Sequence, residues 1–168
     1  MPRSQILVSG NLDEYRLRDL VQIGAPIDSF AVGTAMTTSS DAPSLDCAYK
    51  LQEYGGRPCR KRSEGKATWP GRKQVFRFHR SDGHLDHDVI TTHNDQLPGE
   101  PLLQPVMKEG RRLAPARDLA ELRRYAAAQL GQLPDSLRAL ETVPAYDVRI
   151  SPALQMLTQT VDRVPNLS

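Results

Sequence analysis

Two strand-loop-helix units follow one another at the start of the chain, and that succession predicts an α/β fold with adjacent parallel strands. The first unit reads Gln5-Ile6-Leu7-Val8 as a strand, Ser9-Gly10-Asn11 as a loop, and an amphipathic run through Ile23 as a helix. The second reads Ile27 to Val32 as a strand followed by Gly33-Thr34. Parallel strands need a crossover, and a right-handed one is expected here. Each loop sets glycine beside a small polar residue. Glycine lets backbone approach an anion, and successive N–H groups supply a fixed positive concavity. Phosphate sites of this kind recur in the last two βα loops of eight-stranded α/β barrels. A whole barrel takes about 250 residues, so two units predict the end of a barrel rather than a complete one.

The first helix carries its own signals. Asn11 suits the N-cap with Glu14 at N3, and Asp13 and Glu14 complement the positive end of the helix dipole. Leu17, Leu20 and Val21 share one face, Gly24 supplies the left-handed C′ position, and Pro26 stops any continuation.

Beyond residue 46 the pattern turns to strands. Tyr49 to Tyr54 and Pro58 to Arg62 flank Gly55-Gly56, a two-residue hairpin signal. Lys73 to His79 and Asp86 to Thr91 flank Ser81-Asp82-Gly83, which predicts a second hairpin. A third joins Leu102 to Met107 with Arg111 to Leu113 across Glu109-Gly110. Thr92 to Glu100 reads as a polar loop. A helix is expected from Pro115 to Leu130, with Leu119, Leu122, Ala126 and Leu130 on one face, then a short turn at Ser136 to Leu140. Val148 to Ile150 reads as a strand, and Ser151-Pro152 opens a last helix as N-cap and N1. The expected division is residues 1–46 for the βα units, 47–113 for the hairpins, and 114–168 for the final helices and strand.

Several function classes lose ground on composition. With 39% hydrophobic residues and a formal net charge of +2, the chain is neither disordered nor strongly attracted to nucleic acid. No stretch approaches the roughly 18 apolar residues of a membrane span, and residues 1–4 lack an apolar leader core; a cytoplasmic location is the expectation. Cys47 and Cys59 lack the paired spacing of a zinc knuckle and read as reduced structural thiols. His84 and His87, set among Asp82, Asp86 and Asp88, have the residue types of a metal site but fall in a predicted turn and hairpin, so no metal is assigned.

One stretch keeps several readings open. Arg57, Arg60, Lys61, Arg62, Lys66, Arg72, Lys73, Arg77 and Arg80 are interleaved with Trp69, Phe76 and Phe78. Aromatics that stack bases beside cations that follow a backbone would make a single-strand nucleic-acid platform. The same residues also suit a solvated strand face.

The wording of the chain narrows the choice. Ile6-Leu7-Val8-Ser9-Gly10-Asn11-Leu12-Asp13-Glu14-Tyr15, then Gly24-Ala25-Pro26-Ile27-Asp28 and Val32-Gly33-Thr34, then Ser63-Glu64-Gly65-Lys66-Ala67-Thr68-Trp69-Pro70-Gly71-Arg72-Lys73-Gln74-Val75 resemble the C-terminal part of nicotinate phosphoribosyltransferase. The likeness continues more loosely through Leu102 to Met107 and Ser151 to Leu154. It implies the C-terminal part of an irregular phosphoribosyltransferase-type α/β barrel, followed by a β-rich segment and C-terminal helices. It also implies a reaction: nicotinate, phosphoribosyl pyrophosphate and ATP give nicotinate mononucleotide, the entry step of NAD salvage. Through the resemblance, Ser9, Gly10 and Asn11 would lie beside the ribose and Gly33 and Thr34 would cup the 5-phosphate. Lys66, Thr68, Arg72 and Lys73 would form a loop near the barrel mouth, for support or facing pyrophosphate. Many members carry aspartate where Asn11 stands and glycine where Ala31 stands; asparagine can still bond a ribose hydroxyl but brings no negative charge.

The family's phosphorylated histidine, its nicotinate-stacking aromatics and its acidic loop match nothing from Met1 onward. No catalytic residue is therefore assigned. ATP and Mg²⁺ are expected only for a complete enzyme, with the N-terminal half or a second subunit as partner. The alternatives are a catalytically inactive remnant and a small nucleic-acid-binding protein using residues 57–80.

Overall fold

A computed structural model of the chain describes residues 4–40, 42–44 and 48–164. Cys47, read above as a structural thiol, lies outside the described residues. Two compact units emerge, Met1–Ala48 and Tyr49–Ser168.

In the first unit, β1 (Leu7–Ser9) leads through α1 (Glu14–Gln22) to β2 (Ser29–Ala31) and the short α2 (Thr34–Thr37). The two strands pair in parallel, Leu7 with Ser29, Val8 with Phe30 and Ser9 with Ala31. β1 starts later than the apolar run suggests because the Asp28 side chain replaces the ladder below it. Its Oδ2 accepts from Ile6 N at 2.8 Å, while Asp28 N and Ser29 N both donate to the Ile6 carbonyl. The expected N-cap also shifts. Asn11 adopts φ 47°, which no N-cap can use, and Asp13 takes that role in extended geometry, its side chain accepting from Arg16 N. α1 buries none of its residues, and Val21 is 65% exposed.

The second unit opens on a hairpin of β3 (Glu53–Tyr54) and β4 (Arg57–Pro58). Gly55 and Gly56 both take positive φ, as a type I′ turn requires. The ladder is shorter than expected because Pro58, opposite Glu53, has no N–H to donate. The main sheet comprises β5 (Lys73–His79), β6 (Leu85–Thr92), β7 (Glu100–Pro101) and, much later in the chain, β10 (Val148–Ile150). Its order is β10-β6-β5-β7, antiparallel except for β10 on β6. Between β7 and β10 lie the small hairpin β8 (Met107–Lys108) and β9 (Arg111–Arg112), then α3 (Leu119–Gly131) and the one-turn α4 (Asp135–Arg138). α3 begins at Leu119 and not at Pro115, because Asp118 caps it, accepting from Glu121 N at 2.7 Å.

The final helix, α5 (Pro152–Arg163), lies against β6 and supplies the centre of the core. Leu154 is fully buried, with Phe76 and Leu85 nearly so. Ser151 caps α5 by accepting from Leu154 N, and its hydroxyl meets Thr91 Oγ1 at 2.8 Å, fixing the helix start to the C-terminal end of β6. Thr91 in turn bonds Asp95 Oδ2 at 2.5 Å. At the other end, Arg62 donates to the Val161 carbonyl at 2.7 Å and pairs with Asp162 at 3.1 Å.

Candidate functional site

In the first unit, register decides what meets. Because Ser9 stands beside Ala31, the segments after both strands leave from the same carboxyl edge, where open parallel sheets bind their ligands. After β1 the chain turns sharply, Gly10 at φ 104° and Asn11 at φ 47°. A side chain at residue 10 would be strained in that region even though no atom lies within 4 Å of where its Cβ would stand. After β2, Gly33 caps α2 and its carbonyl accepts from Met36 N at 3.0 Å.

The two segments wall one cleft of about 560 Å³. Asn11, Asp13, Glu14 and Tyr15 form one side, and Thr34 through Ser40 form the other. Of the predicted ribose-phosphate residues, Asn11 and Thr34 line this cleft directly, while Ser9, Gly10 and Gly33 set the backbone beneath them. The walls carry an amide, two carboxylates and a run of hydroxyls; the amide and the hydroxyls can donate to a phosphate, and the carboxylates can accept only from sugar hydroxyls. No lining residue is Lys or Arg. The nearby cation is Arg16, whose Nη1 donates to the Asn11 carbonyl at 2.5 Å. On sequence grounds Arg16 carries no assigned role. Its place in the first turn, within reach of the preceding loop, was the available signal.

In the second unit, the stretch from Lys61 to Lys73 is held by its own backbone. Thr68 exchanges bonds with Lys61: its Oγ1 accepts from Lys61 N at 3.0 Å and its N donates to Lys61 O at 3.0 Å. Arg72 N donates to Glu53 Oε2 at 3.1 Å. Lys73 opens β5 and so is not a loop residue; its Nζ reaches the carbonyls of Trp69 and Gly71 at 2.8 and 2.5 Å. Burial lowers the Lys73 ammonium from its ordinary value, with Glu53 and Cys59 opposing that shift. Lys66 and Arg72 expose their side chains.

Part of the basic and aromatic stretch is engaged within the fold. Phe76 is buried in the core, and Phe78 is stacked on His87 with ring centres 4.6 Å apart. Arg60 and Arg62 pair with Asp162, Arg80 with Asp86, and Arg77 with Asp88. The last pair is bidentate, at 3.0 and 2.9 Å, and Tyr146 donates to the same carboxylate at 3.1 Å. Burial, then the Asp88 bond, pushes the Tyr146 hydroxyl up to about 12. The Asp88 bond likewise raises Arg77.

The histidines are engaged locally: His84 Nδ1 lies 3.2 Å from Asp82 and His87 Nδ1 lies 2.8 Å from Asp86. The His84 backbone N–H holds the Asp82 carboxyl below its usual value. Among the described residues, no three His, Cys, Asp or Glu side chains come together as a metal site. Cys59 is a free, half-buried thiol. No helix among the described residues is long and apolar enough to cross a membrane.

The chain is similar to known proteins over most of its length. Residues 96–158 match the family described as Nicotinate phosphoribosyltransferase C-terminal domain. The chain is 45% identical over 156 residues to nicotinate phosphoribosyltransferase pncB2 of Mycobacterium tuberculosis, a match covering 88% of this chain and 32% of that protein. It is 35% identical over 184 residues to the nicotinate phosphoribosyltransferase of Bos taurus, covering 95% and 34%. The crystal structure of human Nicotinic Acid Phosphoribosyltransferase superposes with a TM-score of 0.73 at 28% identity, over 94% of this chain and 33% of that one. The chain thus spans about one third of the length of the curated relatives it matches.

Proposed function

Because the chain belongs to the nicotinate phosphoribosyltransferase family as its C-terminal portion, we propose that it furnishes the ribose-phosphate side of such an enzyme's site. The observation that carries this reading is the pairing of Ser9 with Ala31, from which both loops emerge to wall one cleft. β1 and β2 act as the last two strands of an α/β barrel, and the rest of the barrel comes from the part of the enzyme that these residues do not span. Asn11 and Thr34 bond the sugar and its 5-phosphate, while the backbone at Gly10 and Gly33 admits them closely.

Nicotinate then displaces pyrophosphate at the anomeric carbon, and positive charge develops on the ribose ring as the leaving group departs. The contribution of this chain is positioning: a sugar fixed at both ends meets its nucleophile at high effective concentration. ATP and Mg²⁺ belong to the complete enzyme, and none of this chain's residues is assigned to them. The substrates are soluble anions, which suits a cytoplasmic assembly.

Reconstitution tests the reading. The 168-residue chain is mixed with the remaining two thirds of the mycobacterial relative, and nicotinate-dependent pyrophosphate release is followed with ATP and phosphoribosyl pyrophosphate present. Each polypeptide alone should be silent and the mixture active. Turnover by the 168 residues alone, or a mixture that associates yet never turns over, would refute the assignment.

A further inference from the structure

Asn11 has a held backbone and a free side chain. Its φ of 47° lies in the left-handed region, where among the described residues only one other non-glycine residue, Glu109, is found. Asparagine visits that region more readily than most residues, but the conformation persists only where the surroundings fix it. Asn11 lines the ribose-phosphate cleft, and among the described residues its side-chain amide has no hydrogen-bond partner.

What fixes the turn therefore acts on its backbone and its neighbours. Leu12, only 6% exposed, anchors it. Arg16 reaches back five residues, its Nη1 donating to the Asn11 carbonyl at 2.5 Å, while its own backbone N–H donates to Asp13 Oδ1 at 2.8 Å. One residue of α1 thus ties both ends of the segment 11–13.

The helix itself gives Arg16 no reason to stand there. It is the third residue of α1, in the turn where the helix dipole favours acidic side chains and disfavours a cation. Its side chain is exposed. Among the described residues its guanidinium has one hydrogen-bond partner, the Asn11 carbonyl, and no ion pair. Residues that oppose a local preference are expected where function requires them.

We infer that Arg16 is a positioning residue for ribose-phosphate binding, acting through the Asn11 carbonyl to hold the turn that keeps the free amide in the cleft wall. Its planar, pre-organised fork suits that task better than a lysine ammonium would. The inference rests on the reading above and deepens it by naming what fixes the sugar-binding amide.

A double-mutant cycle tests it. Ribose 5-phosphate is titrated calorimetrically into the complex of the 168-residue chain with the remaining two thirds of the mycobacterial relative. Arg16→Ala should weaken binding roughly fivefold, the scale of one hydrogen bond. Asn11→Gly, which lacks the amide and adopts the left-handed region unaided, should weaken it at least as much. In the Asn11→Gly background, Arg16→Ala should cost less than about twofold more, because nothing remains to be positioned. The melting temperature of Arg16→Ala should match or exceed the parent's, since a cation leaves the positive end of α1. Parent-like binding by Arg16→Ala, a melting temperature well below the parent's, or equal losses in both backgrounds would overturn the inference while leaving the ribose-phosphate reading intact. Failure of the parent complex to bind ribose 5-phosphate, or parent-like binding by Asn11→Gly, would overturn that reading and the inference with it.

Discussion

Gly33 gives a direct test of the phosphate loop, since nothing lies within 4 Å of where its Cβ would stand. Its backbone stands at φ −105° and ψ −108°, so Gly33→Ala serves as the folding control for Gly33→Asp. The space that is open to the fold is the space assigned to a phosphate. A carboxylate about 4 Å from one phosphate charge is repelled by about 1 kcal/mol in bulk water and about 4 kcal/mol at the effective dielectric of a protein surface. A phosphate monoester carries nearly two charges. Even the water limit, about 1.5–2 kcal/mol, then predicts a loss of ribose 5-phosphate affinity of more than about tenfold, since about 1.4 kcal/mol is tenfold. Titration calorimetry on the reconstituted complex reads the loss directly, and Gly33→Ala, which adds bulk without charge, should fall between parent and aspartate variant. A folded Gly33→Asp complex that binds ribose 5-phosphate as the parent does would remove the phosphate from this loop.

Asp88→Asn should strip Arg77 of its bidentate partner and cost about 2–3 kcal/mol, whereas Tyr146→Phe should cost about 1 kcal/mol; urea denaturation followed through Trp69 ranks the two, and equal costs would contradict the pairing described. Tyr146 titrates near 12 in the fold against about 10 when unfolded, so its neutral form stabilises the native state fully below pH 10 and that contribution fades between pH 10 and 12. Absorbance at tyrosinate wavelengths should show one late-titrating phenol that Tyr146→Phe abolishes.

Elements whose signals are local were legible in the sequence. Ser151-Pro152 opened α5, Val148 to Ile150 formed β10, and Gly55-Gly56 turned a hairpin, because caps, β-branched runs and paired glycines act over a few residues. Asn11 was misplaced as an N-cap because its left-handed backbone follows from the turn at Gly10, and the better cap, Asp13, lies two residues on. The roles of Arg60, Arg62 and Arg77 were illegible for a different reason. Their partners, Asp162 and Asp88, are fixed by tertiary contacts, so a run of charges resembled a nucleic-acid face when most of it was already engaged. Within the candidate site, motif and resemblance indicated the two loops, but only the register of β1 on β2 shows why they share an edge.

The order of the main sheet also bears on how the chain is made. β6 waits for a parallel neighbour, β10, that follows some 56 residues later, and the buried Leu154 arrives only after that neighbour. During synthesis the β5–β6 hairpin must therefore persist with one edge unpaired and its apolar side uncovered, the condition that invites aggregation of nascent chains. Non-local closure of this kind is slower than pairing between neighbouring strands.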